Sequence, residues 1–146
     1  MGVSMKCQYG LRALHELSRN WGQGLLRIPD IAAAQHIPER FLENILNQLR
    51  SGGFVESRRG RGGGFRLAKA PSSISIADIV RFVDGQIYSV DCESASPPPN
   101  SDTRDSCVFL PLWREARDAL EKVYSGKNLQ DLLDDERKGK SLDFCI

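Results

Sequence analysis

The chain has two histidines, and its four cysteines never fall in a CxxC pair. A thiol oxidoreductase is therefore disfavoured. HExxH and GxSxG are also missing, and no Cys–His–Asn signature or convincing acid pair occurs, so catalysis is not expected. No apolar run approaches the length that spans a bilayer. Polar residues interrupt the N-terminal stretch too early for a secretory core. The expectation is a cytoplasmic protein with no membrane partner. Internal repeats are absent. Net charge is +1, from 20 basic and 19 acidic side chains, so only the distribution of charge can speak about partners. A chain of 146 residues with 40% hydrophobic and 27% charged side chains can bury an ordinary core.

What is there is concentrated in residues 51–69. Two short strands, Phe54–Ser57 and Phe65–Ala68, are expected to flank a turn holding Arg58, Arg59 and Arg61 among Gly60, Gly62, Gly63 and Gly64. Arg50, Arg66 and Lys69 lie close by, and Glu56 is the one acid among them. Glycine permits the tight turn, and arginine offers a planar fork to phosphates and base edges. A glycine-rich turn can also be an ordinary solvated hairpin. A phosphate loop would need a helix after the glycines, where a strand is expected instead.

The preceding residues favour nucleic acid. Pro29–Gln35 reads as a short helix, His36-Ile37 as a break, and Pro38–Ser51 as a second helix. Phe41, Leu42, Ile45, Leu46 and Leu49 form its core-facing stripe, and Gly52-Gly53 ends it. The opposite face offers Arg40 to guanine, Glu43 to cytosine and Asn44 to adenine, with Gln48 on the same face. Two helices, a tight turn and a basic hairpin make a winged helix-turn-helix, with the second helix in the major groove and the wing on backbone or minor groove. The fold class is mainly α with a small β-wing, plus a long dimerisation helix. A module that contacts protein rather than DNA is the competing interaction reading. Salt dependence and the wing arginines separate the two.

Elsewhere, Ser4–Asn20 reads as a first helix with Tyr9, Leu11, Ala13, Leu14 and Leu17 toward the core. Ile76–Val83 reads as a helix capped by Ser75, with Asp78 at the third position and Gly85 as terminator. Asp91–Asp105 is rich in Pro, Ser and Asp and reads as a mobile loop. A helix from about Asp105 to Tyr124 carries two apolar stripes. One holds Val108, Leu112, Ala116, Ala119 and Val123; the other holds Phe109, Trp113, Ala116, Leu120 and Tyr124. So wide an apolar face suits one side on its own domain and one on a partner subunit. Asn128 and Asp131 cap a last short helix, Leu129–Leu133. The acidic run at Asp131, Asp134, Asp135 and Glu136 contrasts with the basic wing. The expected division is residues 1–87 for DNA binding, 88–106 for a cysteine loop and 107–146 for dimerisation.

Several of these motifs together resemble the bacterial Rrf2 family of winged-helix regulators, which includes IscR, NsrR and CymR. They are Tyr9-Gly10-Leu11-Arg12-Ala13-Leu14, Ile31-Ala32, Phe41-Leu42-Glu43, Leu49-Arg50 with Gly53, Ser57-Arg58-Arg59-Gly60 with Gly62-Gly63-Gly64-Phe65, Val83-Asp84-Gly85 and the Trp113 helix. The resemblance runs from about Met5 to about Asp135. It implies a homodimeric, sequence-specific regulator of double-stranded DNA, expected as a repressor. In IscR-like members, positions matching Glu43 and Asn44 read bases, that matching Arg59 enters the minor groove, and Arg40 falls at a DNA-facing position. Pro38 stands where a small polar residue is usual, so the target sequence is expected to differ.

The resemblance also bears on the cysteines. In IscR- and NsrR-like members the loop after the winged helix holds three cysteines that bind an iron–sulfur cluster. Cys92 and Cys107 match the first and third. The middle one is absent, and Leu110 occupies the place of the IscR-type histidine ligand. A cluster normally takes four ligands. Gln8 matches an acidic ligand of NsrR-like members, and its neighbour Cys7 is a better donor. His36 lies in the turn of the helix-turn-helix. The sharp expectation is a [2Fe–2S] centre on Cys92 and Cys107, completed by Cys7 or His36 of the other subunit. The rivals are a Cys92–Cys107 thiol switch and a cluster-free, CymR-like regulator that senses a small ligand or partner protein. His15 reads as packed or solvated, Cys7 equally as a small core hydrophobe or a ligand, and Cys145 as part of a tail.

Overall fold

The computed structural model describes residues 2–87 and 108–143. The Asp91–Asp105 loop, Cys92, Cys107 and Cys145 lie outside the described residues.

Helix α1 (Met5–Arg19) begins where Ser4 accepts a hydrogen bond from the Cys7 amide. Its Cys7, Gly10, Ala13, Leu14 and Leu17 are buried, while Tyr9 and Leu11 are half-buried. Helix α2 (Ile28–Gln35) and helix α3 (Glu39–Ser51) are joined by a turn at His36, whose left-handed φ of 53° is tolerated better by His than by branched residues. Ile37 fills the core beneath this turn. Helix α3 buries Leu42, Ile45, Leu46 and Leu49 against α1 and α2. Each such side chain contributes about 1.5–3 kcal/mol by leaving water.

Phe41 departs from the expected stripe. It lies one position beyond the inward edge of α3 and is 58% exposed, beside Met5 and Tyr9 of α1. The buried set, at 42, 45, 46 and 49, repeats the 3.6-residue period more closely without it.

Strands β1 (Val55–Arg58) and β2 (Gly64–Leu67) pair antiparallel, with Val55 opposite Leu67 and Arg58 opposite Gly64. Val55, Phe65 and Leu67 point into the core, whereas Glu56 and Arg66 pair on the outer face at 3.0 Å. Phe65 also exchanges backbone hydrogen bonds with Leu26, at 2.9 and 2.7 Å. Gly64 permits this approach: a Cβ there would lie 2.4 Å from the Leu26 carbonyl oxygen.

A 3-10 turn at Pro71–Ser73 leads to helix α4 (Ile76–Asp84), where the Asp78 amide donates to the Ser75 hydroxyl and Gly85 ends the helix at φ 83°. Its end is tied back to α1, since the Ser4 amide donates to Asp84 at 2.9 Å. Helix α5 (Leu110–Ser125) packs on α4, joined by an Arg81–Glu121 ion pair. Trp113, Ala116, Leu120 and Tyr124 are half-buried on that side. Val108, Leu112 and Val123 stay 53–72% exposed, and Phe109, 57% exposed, stacks on Trp113.

Helix α6 (Leu129–Asp143) extends far past the expected end at Leu133. Asn128 and Asp131 cap its start reciprocally, at 2.9 and 2.8 Å, and Leu129 and Leu133 are buried. The acids that follow do not break the helix, because each has a cation or donor nearby. Asp135 meets Lys127, Asp134 meets Gln130, and Glu136 meets His15 and Arg19 of α1. The acidic run is thus partly an internal seam rather than a free patch. Backbone hydrogen bonds from Ile76 to Lys127 and from Leu129 to Ile74 fasten the start of α6 to the start of α4.

Among the described residues, no helix is long and apolar enough to cross a membrane.

Candidate nucleic-acid interface

Helix α3 and the wing enclose an open cleft of about 440 Å³. Glu43, Asn47 and Arg50 line it from α3, Arg58 and Arg59 from the wing, and Arg27 from the start of α2. Four arginines therefore face one carboxylate. Charges held in a concave wall reinforce one another's field and attract a polyanion. The tip of the wing turns at Gly60 and Gly62, with φ of 90° and 72°, which carries Arg58, Arg59 and Arg61 outward as exposed side chains.

The expected site residues divide between two faces. Glu43, Arg58 and Arg59 come together in the cleft. Asn44 lines a separate, mostly apolar groove with Met5, Lys6, Tyr9, Phe41 and Ile45. Arg40 is exposed on the first turn of α3, Gln48 is half-buried, and Arg61 stands at the wing tip outside the cleft. Arg27, Asn47 and Arg50 were missing from the expected DNA contacts. The helical period already puts Asn47 and Arg50 on the polar face of α3, one and two turns beyond Glu43. Arg27 precedes α2 in a connection without a pattern, and only the fold brings it opposite the wing.

Of the candidate metal ligands, Cys7 lies in α1 and His36 at the end of α2, while Cys92 and Cys107 lie outside the described residues. Cys7 is fully buried under α4, and burial, helped by the nearby Asp84 carboxylate, pushes its thiol up to about 12. In this packing Cys7 is a core side chain, and a shared ligand would need it to leave the core. His36 is exposed at the end of α2. Among the described residues, no three His, Cys, Asp or Glu side chains are grouped to hold a metal.

The state of Cys7 has a direct readout. In the folded protein it is expected to resist iodoacetamide at neutral pH and to react once urea is added, as mass spectrometry of the labelled peptide would record. Its folded value lies above the ordinary 9.0. Its contribution to stability is therefore complete below pH 9 and declines as pH rises toward about 12. Rapid labelling without denaturant would contradict the burial.

Comparison with known proteins gives a consistent picture. Residues 3–135 match the family model described as "Rrf2: Iron-dependent Transcriptional regulator". The chain is 36% identical to the HTH-type transcriptional regulator NsrR of Geobacillus kaustophilus, over 97% of this chain and 96% of that protein. Its fold matches a T. potens IscR structure with a TM-score of 0.74, at 29% identity, covering 95% of this chain and 90% of that one. It matches equally, at 0.74 and 31% identity, the structure of CymR, the global cysteine regulator of B. subtilis, covering 90% and 95%. These relatives are regulators, not enzymes. With a helix-turn-helix, a wing and a basic cleft between them, the chain belongs to the Rrf2 family of DNA-binding transcriptional regulators.

Proposed function

We propose that the protein is a homodimeric repressor that reads a two-fold operator through α3 and the wing, with its DNA affinity set by the redox or iron–sulfur state of Cys92 and Cys107. The observation that carries the DNA-reading part is the arginine-lined cleft between α3 and the wing. In this reading Arg40, Glu43, Asn44 and Gln48 face bases in the major groove, while Arg58, Arg59 and Arg61 engage the flanking backbone and minor groove. Residues 1–87 form the DNA-reading part, 88–106 the sensor and 107–146 the dimerisation part. The exposed Leu112 and Val123 on α5, with exposed Val108 just before it, support a second copy as the partner. A small change in how two copies meet would alter the spacing of the recognition helices, and half-site spacing is geometric.

The regulatory part rests on the two loop cysteines. A cluster would draw its thiolates from them, and it needs further ligands. His36 is accessible for this and Cys7 is not. The burial of Cys7 favours a second reading, in which the protein is cluster-free and senses through oxidation of Cys92 and Cys107, a small ligand or a partner protein.

Protein purified without oxygen separates the two. Visible absorption with near-stoichiometric iron and sulfide, lost in Cys92→Ser and Cys107→Ser, is the outcome expected for the cluster. Colourless, iron-free protein that still binds DNA would eliminate it. DNA affinity unchanged in both Ser variants under reducing and oxidising conditions would remove Cys92 and Cys107 from regulation altogether.

A further inference from the structure

The wing leaves helix α3 through Gly52 and Gly53, a joint with no side chain of its own to fix its angle. Beyond the joint, Phe54 anchors the chain, with its ring 5.3 Å from that of Phe82 and its amide bonded to the Leu49 carbonyl. These contacts hold the root of β1. The arginines lie farther out, at the other end of the strand.

One side-chain hydrogen bond spans from helix to strand at that outer end. Arg50, in the last turn of α3, donates through Nη1 to the Ser57 hydroxyl over 2.7 Å. Ser57 immediately precedes Arg58 and Arg59. Both partners border the cleft, and Ser57 is half-buried. A guanidinium that donates to a neutral hydroxyl is held by direction rather than by charge. It thereby fixes where β1 runs relative to α3.

We propose that the Arg50–Ser57 hydrogen bond is a latch that sets the angle of the wing to the recognition helix, making Arg50 and Ser57 positioning residues for Arg58 and Arg59. The inference rests on the DNA-reading role of the cleft. Without the latch, β1 is held at Ser57 only through its pairing with Phe65 of β2, itself bonded to Leu26, and the end of β1 beyond it samples directions at which Arg58 and Arg59 miss the DNA. Apparent affinity then falls by the fraction of molecules that remain competent. The bound state itself is unchanged, so the number of displaced counterions is unchanged too. A direct phosphate contact behaves differently, since its loss lowers the salt slope by about 1.

The test uses the full-length protein and a duplex selected from a random pool by the unaltered protein, with affinity measured across a salt series. Ser57→Ala is expected to weaken binding about fivefold with an unchanged salt slope. Ser57→Thr, which keeps the hydroxyl, should restore affinity. In an Arg58→Ala, Arg59→Ala background the same Ser57→Ala change should cost less than about twofold, because the two arginines that the latch positions are gone. Additive losses, a slope lowered by about 1 in Ser57→Ala, or no loss in that variant would each overturn the latch. If the two arginine replacements leave affinity intact, the cleft is not the DNA interface, and the latch falls with it. Thermal unfolding of each variant identifies any loss that is merely structural.

Discussion

Replacing Arg58 and Arg59 together with alanine is expected to weaken binding to a selected duplex by about 100-fold at moderate salt. Each well-placed arginine contributes on the order of 1–3 kcal/mol, and every 1.4 kcal/mol is about tenfold. The plot of log affinity against log salt should flatten by about 2 units in slope as two counterion-releasing contacts disappear. Folding should be untouched. Both side chains are exposed, and the strand pairing beneath them is made by backbone and by Val55, Phe65 and Leu67. Fluorescence anisotropy across a salt series, with circular dichroism as the folding check, measures both quantities. A loss below about threefold with an unchanged slope would move the interface away from the wing. A protein-binding module would show that result, since its interface does not release a condensed ion atmosphere.

The second large effect is expected at α5. Leu112 and Val123 are 53% and 62% exposed and lie three turns apart on one side of the helix. Replacing both with glutamate should leave the monomer's fold and melting temperature nearly unchanged, because neither supports the core. Across a dimer interface the same charges would be buried without partners, at a cost of several kcal/mol. Light scattering at micromolar concentration should report the mass of one chain for the variant and two for the unaltered protein. DNA affinity should fall by at least about 100-fold, since two half-sites are no longer held by one molecule. A variant that remains dimeric would place the partner surface elsewhere. An unaltered protein that is monomeric at these concentrations would remove the homodimer from the proposal.

The parts of this molecule that were legible in the sequence are those fixed by local chemistry. The hairpin followed from arginine and glycine around two short apolar runs, and its strands fall within one residue of their expected places. Ser75 and Asn128 announced their helices because caps are written in neighbouring residues. What periodicity could not settle was the edge of a stripe. Phe41 adjoins Leu42 in sequence, yet a rotation of one residue about α3 carries it to the surface. The length of α6 was hidden for another reason. Asp134, Asp135 and Glu136 read as an acidic end set against the basic wing, and only the fold supplies His15 and Arg19 to meet Glu136 from more than a hundred residues away. Arg27 was missed likewise, since nothing beside it in sequence marks it as facing the wing. Cys7 could be read two ways, as a small core side chain or as a ligand, and its place on the inner face of α1 favours the packed thiol.

The fastening of α6 to α4 also constrains the operator. Lys127 and Leu129 are bonded through their backbones to Ile76 and Ile74, so the end of α5 is pinned to the body that carries α3. Two copies joined through α5 would then behave as a pair of dividers with fixed legs. The gap between their points would be cut into each chain, not left to a loose connection. Adding or removing one turn of α5, about 5.4 Å of rise, would re-gauge such an instrument: it would select DNA with a different distance between half-sites, where a change in the wing only loosens its grip.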